Sequence, residues 1–543
     1  MTEKKLTRQD RGEAIESDGI VSAESELMEG GAARPAIPSG AEPVSPAEML
    51  AVWDHETDVI VVGAGGAGLS AAVTAREMGA RVVVLEKNSG CGGDTSIAMA
   101  FISRTSDTKF QKKLGIKPVP LSEAFPMATA GFSNRNNGEV ERTLIERDPE
   151  TADWLEDMGV VYETGPAAGT PPGLFLTPVD PEGSENGYYS WFPYNAKGFT
   201  KTLEKRARAL EVKIFSATPA IALVTKDGRV VGLAAKTKEG KTLYIKGKVT
   251  ILSTGGFGAN KDMLRKYCPP DVFEGIAHYI GLPSCTGDGI RMAQGIGAVI
   301  EGMDDLEMWD GGVDGVGEGP VAFYNAATQL VRQKSLTINK FGKRFMDEDL
   351  LYGHGHEIGP FKANANQIRR QKDHTSFTIH DSETVKKEFI IKRFEAMACK
   401  YPCRWYEKDF ERRVDDGTIM KADNIKDLAQ LMGVDSMALQ GTIGQYNEYC
   451  DKGEDPEFFK PAKYLFSLRK PPFYAVKQAG CALFNTWGGL VTNSKFQVMD
   501  KEWNVIPGLR VAGHNAAYCA SVVYALTSGR IAGESAAEEA LKR

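Results

Sequence analysis

Residues 58–87 read DVIVVGAGGAGLSAAVTAREMGARVVVLEK. A short apolar, β-branched run over 58–62 ends at Gly63, and a glycine-rich turn follows at once. A helical pattern then occupies 69–80, and a second strand, RVVVLEK, closes on Glu86. Each part has a physical job in a dinucleotide-binding unit. Gly63 makes the tight turn, Gly65 lets a pyrophosphate approach the main chain, and Gly68 lets the helix lie close on the strand. The helix N-terminus faces the phosphates with unsatisfied N–H groups. Glu86, 18 residues after Gly68, stands where a carboxylate accepts hydrogen bonds from ribose hydroxyls and repels a 2′-phosphate.

Whether the nucleotide is FAD or NAD turns on what comes next. Residues 87–97 read KNSGCGGDTSI, a second small-residue loop directly after the ribose-binding acid. Such a loop wraps a further part of one large cofactor, and the Thr95 and Ser96 hydroxyls suit phosphate or flavin-ring edges.

The whole chain fits this frame. It has 543 residues, 42% hydrophobic and 25% charged, enough for about three or four domain-sized units. Glycine is enriched, 58 residues against an average usage of about 7%. The net charge, 65 − 72 = −7, argues against a nucleic-acid partner. No stretch reaches the roughly 18–20 apolar residues of a membrane span. Residues 1–53 read as a flexible or draped extension without a secretory or twin-arginine signal. The eight cysteines are scattered without a CxxC pair, which suits a reduced, cytoplasmic setting, and no metal site is expected.

Four further segments carry glycine or small-residue turns in order: VTILSTGGFGANKDML (249–264), TGDGIRMAQGIGAV (286–299), NTWGGLVT (485–492) and VIPGLRVAGHNAA (505–517). With residues 58–97 they resemble the flavoprotein superfamily of soluble fumarate reductases, ketosteroid Δ1-dehydrogenases, urocanate reductase and gut-bacterial reductases such as the tetrahydrodaidzein reductase type. The resemblance covers roughly 54–543. It implies an α/β fold, a Rossmann-like FAD-binding domain with an inserted α+β capping domain, and non-covalent FAD. The implied division is 54–302 and 485–543 for the FAD-binding domain and 303–484 for the cap, with LTINKFGKRF (336–345) as a hairpin-like cap element. The implied cofactor set is Gly63, Gly65, Gly66, Ala67, Gly68, Glu86, Lys87, Gly92, Gly93, Asp94, Thr95, Ser96, Thr254, Gly255, Gly256, Asp288, Gly489 and His514.

Departures from the family pattern bear on the substrate. Fumarate reductases carry an arginine for proton delivery four residues after an RF-x-N-E stretch. Here the stretch is Arg344-Phe345-Met346-Asp347-Glu348, and Tyr352 stands in that place. The family's two carboxylate-binding histidines fall at Phe484-Asn485 and in Glu307-Met308-Trp309-Asp310. Its Thr-Glu pair is replaced by Ala327-Thr328, and its HGxNR arginine by Asn515-Ala516-Ala517-Tyr518-Cys519. A dianion without a cationic clamp suffers uncompensated desolvation, so fumarate is rejected as substrate.

A tyrosine after RF-x-x-E resembles the ketosteroid dehydrogenases, which implies catalytic roles for Tyr352 in proton transfer and for Tyr518 beside a substrate carbonyl, with Tyr524 as a competitor. The YPGxG run of that family is missing. Trp309 and the aromatic run YYSWFPY (188–194) are candidates to wall a flat substrate, and His354 and His356 to orient Tyr352. The expected activity is an FAD-dependent reductase of a neutral ring molecule, isoflavonoid or steroid-like. The reverse, ketosteroid-type direction stays open, as does reduction of an acrylate-type carboxylate if Arg332 or Arg344 faces the flavin. The 303–484 cap argues against a bare electron carrier. The electron donor is unidentified: there is no haem attachment motif and no second complete GxGxxG.

Overall fold

The computed structural model describes residues 40–47, 52–98, 101–102, 104–131, 134–164, 175–178, 196–317, 327, 330, 335–348, 359–386 and 404–542. In chain order the elements that matter are β1 (His55–Val62), α1 (Gly66–Glu77), β2 (Val82–Leu85), α2 (Gly138–Asp157), β3 (Lys213–Phe215), β4 (Ala220–Lys226), β5 (Arg229–Lys236) and β6 (Thr242–Leu252). They are followed by β7 (Ile276–Tyr279), α3 (Asp288–Gln294), β8 (Leu306–Trp309), β9 (Leu336–Asn339), β10 (Thr375–Asp381) and β11 (Ile419–Ala422). The last are α4 (Ser436–Lys452), β12 (Phe473–Ala479), β13 (Cys481–Thr486), β14 (Gln497–Met499), β15 (Val505–Val511) and α5 (Val522–Leu541).

The apolar run that opens the sequence argument becomes the central strand of an eight-stranded sheet, in the order β14-β15-β6-β1-β2-β3 with β5 and β4 branching from β6. The pairings β15–β6, β6–β1, β1–β2 and β2–β3 are all parallel. A strand covered on both faces reads as a continuous apolar run, and Val59–Val62 are all buried. α1 starts at Gly66, earlier than the apolar pattern from Leu69 suggests, because the glycines already adopt helical backbone. α5 crosses α1 closely: a Cβ on Gly533 would lie 2.6 Å from the Ala71 carbonyl oxygen, so small residues set that approach.

The register fixes where the turns gather. Val62 pairs with Leu85 and Leu252, and Leu252 pairs with Val511. The strands therefore end at one level, and Gly63, Glu86, Ser253 and Ala512 emerge side by side at their C-terminal edge. Ligands bind at such an edge in open parallel sheets.

A second, antiparallel sheet runs β9-β10-β12-β11 and packs on α4 through Leu336, Ile338, Phe377, Ile379, Ile443 and Tyr446. After β9 the chain turns at Lys340–Gly342 and Arg344 bridges back to Ile338, so LTINKFGKRF is a short hairpin. A third sheet, β7-β13-β8, joins residues from both sides of the 302/303 and 484/485 divisions. Residues 40–47 lie along the first sheet and α3: Val44 N–H donates to the Arg291 carbonyl at 3.0 Å and Ala47 N–H to that of Leu223 at 2.8 Å. Among the described residues no helix is long and apolar enough to cross a membrane. Cys91, Cys268, Cys285, Cys450, Cys481 and Cys519 are free thiols, and Cys399 and Cys403 lie outside the described residues.

His380, buried in β10, bonds the Leu330 carbonyl through Nε2 at 2.8 Å. The acceptor is a carbonyl, so Nε2 carries the proton. Burial pushes its pKa down to about 4. The depressed value makes its contribution full above the unfolded value near 6.5 and lost as pH falls from there toward 4. Urea unfolding should therefore lose about 3 kcal/mol of stability over that window. His380→Gln, which keeps a donor and does not titrate, should flatten the fall; an unchanged slope would refute the assignment.

Candidate active site

The site is built from main chain before side chains. Gly63 has φ +102°, a left-handed conformation that favours glycine, and its N–H donates to the Leu85 carbonyl at 2.7 Å. A Cβ on Gly68 would strike the Gly63 carbonyl and lie 2.6 Å from Ser253 Oγ. These two glycines are required by protein packing. Gly65 is different, because a Cβ there would meet nothing nearer than the Gly92 carbonyl at 3.8 Å. Protein contacts do not demand it, and its bareness leaves room for a ligand at the N-terminus of α1, where the N-cap residue has no side chain to cap the helix. Gly66 N–H donates to Thr95 Oγ1 at 3.2 Å, and a side chain on Gly66 would collide with Thr95. Ala67 completes the first turn of α1, buried. The carboxylate of Glu86 spans the cradle: Oε2 accepts from Ala64 N–H at 2.8 Å and Oε1 from Asn88 N–H at 2.7 Å. Burial raises its pKa, and those two N–H bonds oppose the shift.

The second loop docks on the first through a bridge between Gly65 and Gly92. Gly92 and Gly93 both take positive φ, and Ser96 Oγ donates to the Gly93 carbonyl at 2.8 Å. Asp94 is turned to protein: it accepts from Tyr279 Oη at 3.1 Å, Leu282 N–H at 2.8 Å and Cys285 Sγ at 3.0 Å. Lys87 and Asp288 form an ion pair at 2.7 Å, with Thr286 Oγ1 also on the lysine. These groups hold the walls of the cradle. An open helix N-terminus, a carboxylate at the end of β2 and a second glycine loop are the donor set that an FAD requires, and the residues present fit it.

Asn515 was not singled out from sequence as a cofactor-site residue. Its Oδ1 accepts from the N–H and hydroxyl of Thr254, and its Nδ2 donates to the Gly255 carbonyl at 2.9 Å. Thr254 Oγ1 in turn accepts from Gly289 N–H at 3.0 Å, and Gly489 abuts the Asn515 carbonyl. Thr486 adds a hydroxyl that accepts from Phe257 N–H at 3.3 Å beside Gly256. His514 stands next to Gly256 and keeps accessible surface although protein surrounds it. Burial lowers its pKa against the pull of Asp94, so the imidazole is neutral at neutral pH. No local signal marks Asn515, because the residues its side chain bonds, Thr254 and Gly255, are 261 and 260 residues away.

The third sheet brings together the stretches 306–309 and 482–486. Glu307 pairs with Asn485, but Met308 pairs with Leu483, so Phe484 is an extra residue on β13. This β-bulge puts Phe484 and Asn485 on the same side as Glu307 and Trp309. Trp309 stacks on Phe484 with ring centroids 4.3 Å apart and planes 5° apart. The Trp309 indole N–H donates to Glu307 Oε1, and Asn485 Nδ2 donates to Oε2, each at 3.0 Å. Ala327, at the place of the Thr-Glu pair, is buried in the same cluster as Trp309.

The tyrosines divide. Tyr524 is fully buried, and its hydroxyl donates to the Glu141 carboxylate on α2. Tyr518 has φ +57°, packs against Gly302, and its N–H donates to the Trp487 carbonyl at 2.7 Å. Burial and Asp305 push its phenol up to about 12, with Arg135 opposing. Arg344 is held by Glu348 at 2.9 Å and Asp455 at 2.7 Å, with Lys460 beside Glu348. Burial works against the Glu348 anion, but Lys460 and Arg344 hold its carboxyl below the usual range. Tyr352, His354, His356, Arg332, Thr328 and residues 188–194 lie outside the described residues. No group of three or more potential metal-ligating His, Cys, Asp or Glu occurs among the described residues.

Parallel sheet, glycine cradle and second loop define a flavin-nucleotide protein. The chain belongs to the FAD binding domain family, whose model matches residues 58–530. It is an FAD-dependent oxidoreductase of the fumarate reductase and ketosteroid dehydrogenase group. It is 29% identical to vinyl phenol reductase of Lactiplantibacillus plantarum, over 89% of this chain and 96% of that protein. It is 27% identical to NADH:acrylate oxidoreductase of Vibrio harveyi over 91% of this chain, but spans only about half (52%) of that protein's length. The open conformation of a flavocytochrome c3 fumarate reductase superposes with TM-score 0.69, covering 99% of this chain and 83% of that one at 23% identity. The 3-ketosteroid-Δ4-(5α)-dehydrogenase of Rhodococcus jostii RHA1, bound to 4-androstene-3,17-dione, gives TM-score 0.66, covering 91% and 99% at 25% identity.

Asn515→Ala removes the amide that joins three cofactor turns. The Kd for FAD, measured by titrating apoprotein and following flavin fluorescence, should rise at least about tenfold. A Kd within twofold of the wild type would show that Asn515 does not support the cradle.

Proposed function

We propose that the protein is a reductase that adds hydride and a proton across an activated double bond of a neutral, ring-containing molecule. The observation that carries this reading is the Trp309–Phe484 stack, at the two stretches where carboxylate reducers of the family carry histidines. An aromatic wall binds a flat ring through apolar contact and offers a dianion nothing. Arg344 supports the same reading, since Glu348 and Asp455 already neutralise it.

When bound, FAD supplies the hydride. The residues at the C-terminal edge of the first sheet would hold the nucleotide, through N–H groups of α1 and the Glu86 carboxylate. Trp309 and Phe484 orient the ring and keep water from it. The proton is assigned to the Tyr352 hydroxyl, because a phenol remains protonated at neutral pH and serves as a general acid. The Arg344–Glu348 pair anchors the chain four residues before that tyrosine. The Trp309–Phe484 stack supports a small, flat substrate, in keeping with the names of the phenol reductase and the steroid dehydrogenase above.

Photoreduced protein mixed anaerobically with a panel should be reoxidised by neutral aryl alkenes or cyclic enones and left at the buffer rate by fumarate. Fastest reoxidation by fumarate would overturn the proposal. Tyr352→Phe should lower turnover about 10²–10⁴-fold while FAD stays bound. Turnover near wild type would remove Tyr352 from the mechanism.

A further inference from the structure

The bulge in β13 also fixes what Asn485 offers a bound molecule. The indole N–H of Trp309 is a donor only, so it pins one oxygen of Glu307 as an acceptor. The other oxygen accepts from Asn485 Nδ2 at 3.0 Å. A carboxylate oxygen that accepts draws the NH₂ side of the amide toward itself, and the amide oxygen is turned away. Asn485 is half-buried although β13 is the middle strand of its sheet and is paired on both edges. On one side of it lies the aromatic stack. On the other, Thr486 lies against Gly256 and accepts from Phe257 N–H in the cofactor cradle.

We propose that Asn485 is a specificity residue whose amide oxygen accepts a hydrogen bond from a hydroxyl on an aromatic substrate. This rests on the ring-binding reading above. Where carboxylate reducers of the family place a histidine donor, this chain presents an acceptor. A substrate carboxylate there would meet oxygen against oxygen, whereas a ring hydroxyl gains a partner. Bulges beside active sites commonly serve to re-aim one side chain, and Asn485 shares its face with Phe484 only because of this one.

The test is calorimetric titration of the oxidised, FAD-loaded protein with 4-ethylphenol and with its methyl ether, 4-ethylanisole, neither of which can be reduced at the side chain. Wild-type protein should bind the phenol about tenfold more tightly than the ether. In Asn485→Leu the ratio should fall below twofold, through loss of phenol affinity. Glu307→Gln, whose amide can donate and so lets Asn485 turn over, should lower the ratio part of the way. Equal affinity for phenol and ether in the wild type, or a ratio that survives in Asn485→Leu, would overturn the role of Asn485 and leave the ring-binding reading intact. Binding of fumarate with neither aromatic bound would overturn the ring-binding reading itself.

Discussion

One side chain amide holds the cofactor end of this molecule together. Asn515 bonds the Thr254 main chain and hydroxyl and the Gly255 carbonyl, and Thr254 passes the connection to Gly289 at the head of α3. Three turns are thereby fixed relative to one another. The arrangement works only because neighbouring positions lack side chains: Cβ atoms on Gly289 or Gly489 would occupy the space of Asn515. The glycine excess of the composition is thus partly a record of how closely main chain approaches main chain at the C-terminal edge of the first sheet.

The second part of the molecule follows a different logic. Two cations and two anions, Arg344, Lys460, Glu348 and Asp455, are buried together beside the second sheet, and their charges balance. Removing one member of such a cluster leaves an uncompensated charge, which is why buried ion clusters fix geometry more than they add stability. RF-x-x-E therefore has a local meaning here. Its arginine is an anchor for the chain that leads to Tyr352, and its charge is neutralised within that cluster. In the third sheet, by contrast, Trp309 and Phe484 are aromatic neighbours, and a bulge lines them up.

Much of the cofactor end was legible in the sequence. Gly63, Gly65, Gly68 and Glu86 sit within one local unit whose spacing is set by one strand, one turn and one helix, so periodicity and glycine position suffice. The roles of Lys87, Asp94 and Asp288 were less legible. They look like ligand-facing polar residues in a loop, but Lys87 and Asp288 pair with each other and Asp94 ties down residues 279–285. Tyr518 and Tyr524 read alike as aromatic residues after a turn, and only packing separates them: Tyr524 is committed to Glu141, 383 residues away in the chain.

The sequence by itself determined the parallel FAD-binding sheet and the place of its first glycine turns, because each depends on residues within a few turns of one another. Only the tertiary structure decided that Asn515 joins the cofactor turns, that Asp455 helps to neutralise Arg344, and that Trp309 meets Phe484 while Asn485 bonds Glu307. Those contacts link residues more than a hundred positions apart, and the last depends on a single extra residue in a strand pairing. Alternation along one strand predicts which face a side chain takes, but a register break is a property of two strands together, and neither carries it alone.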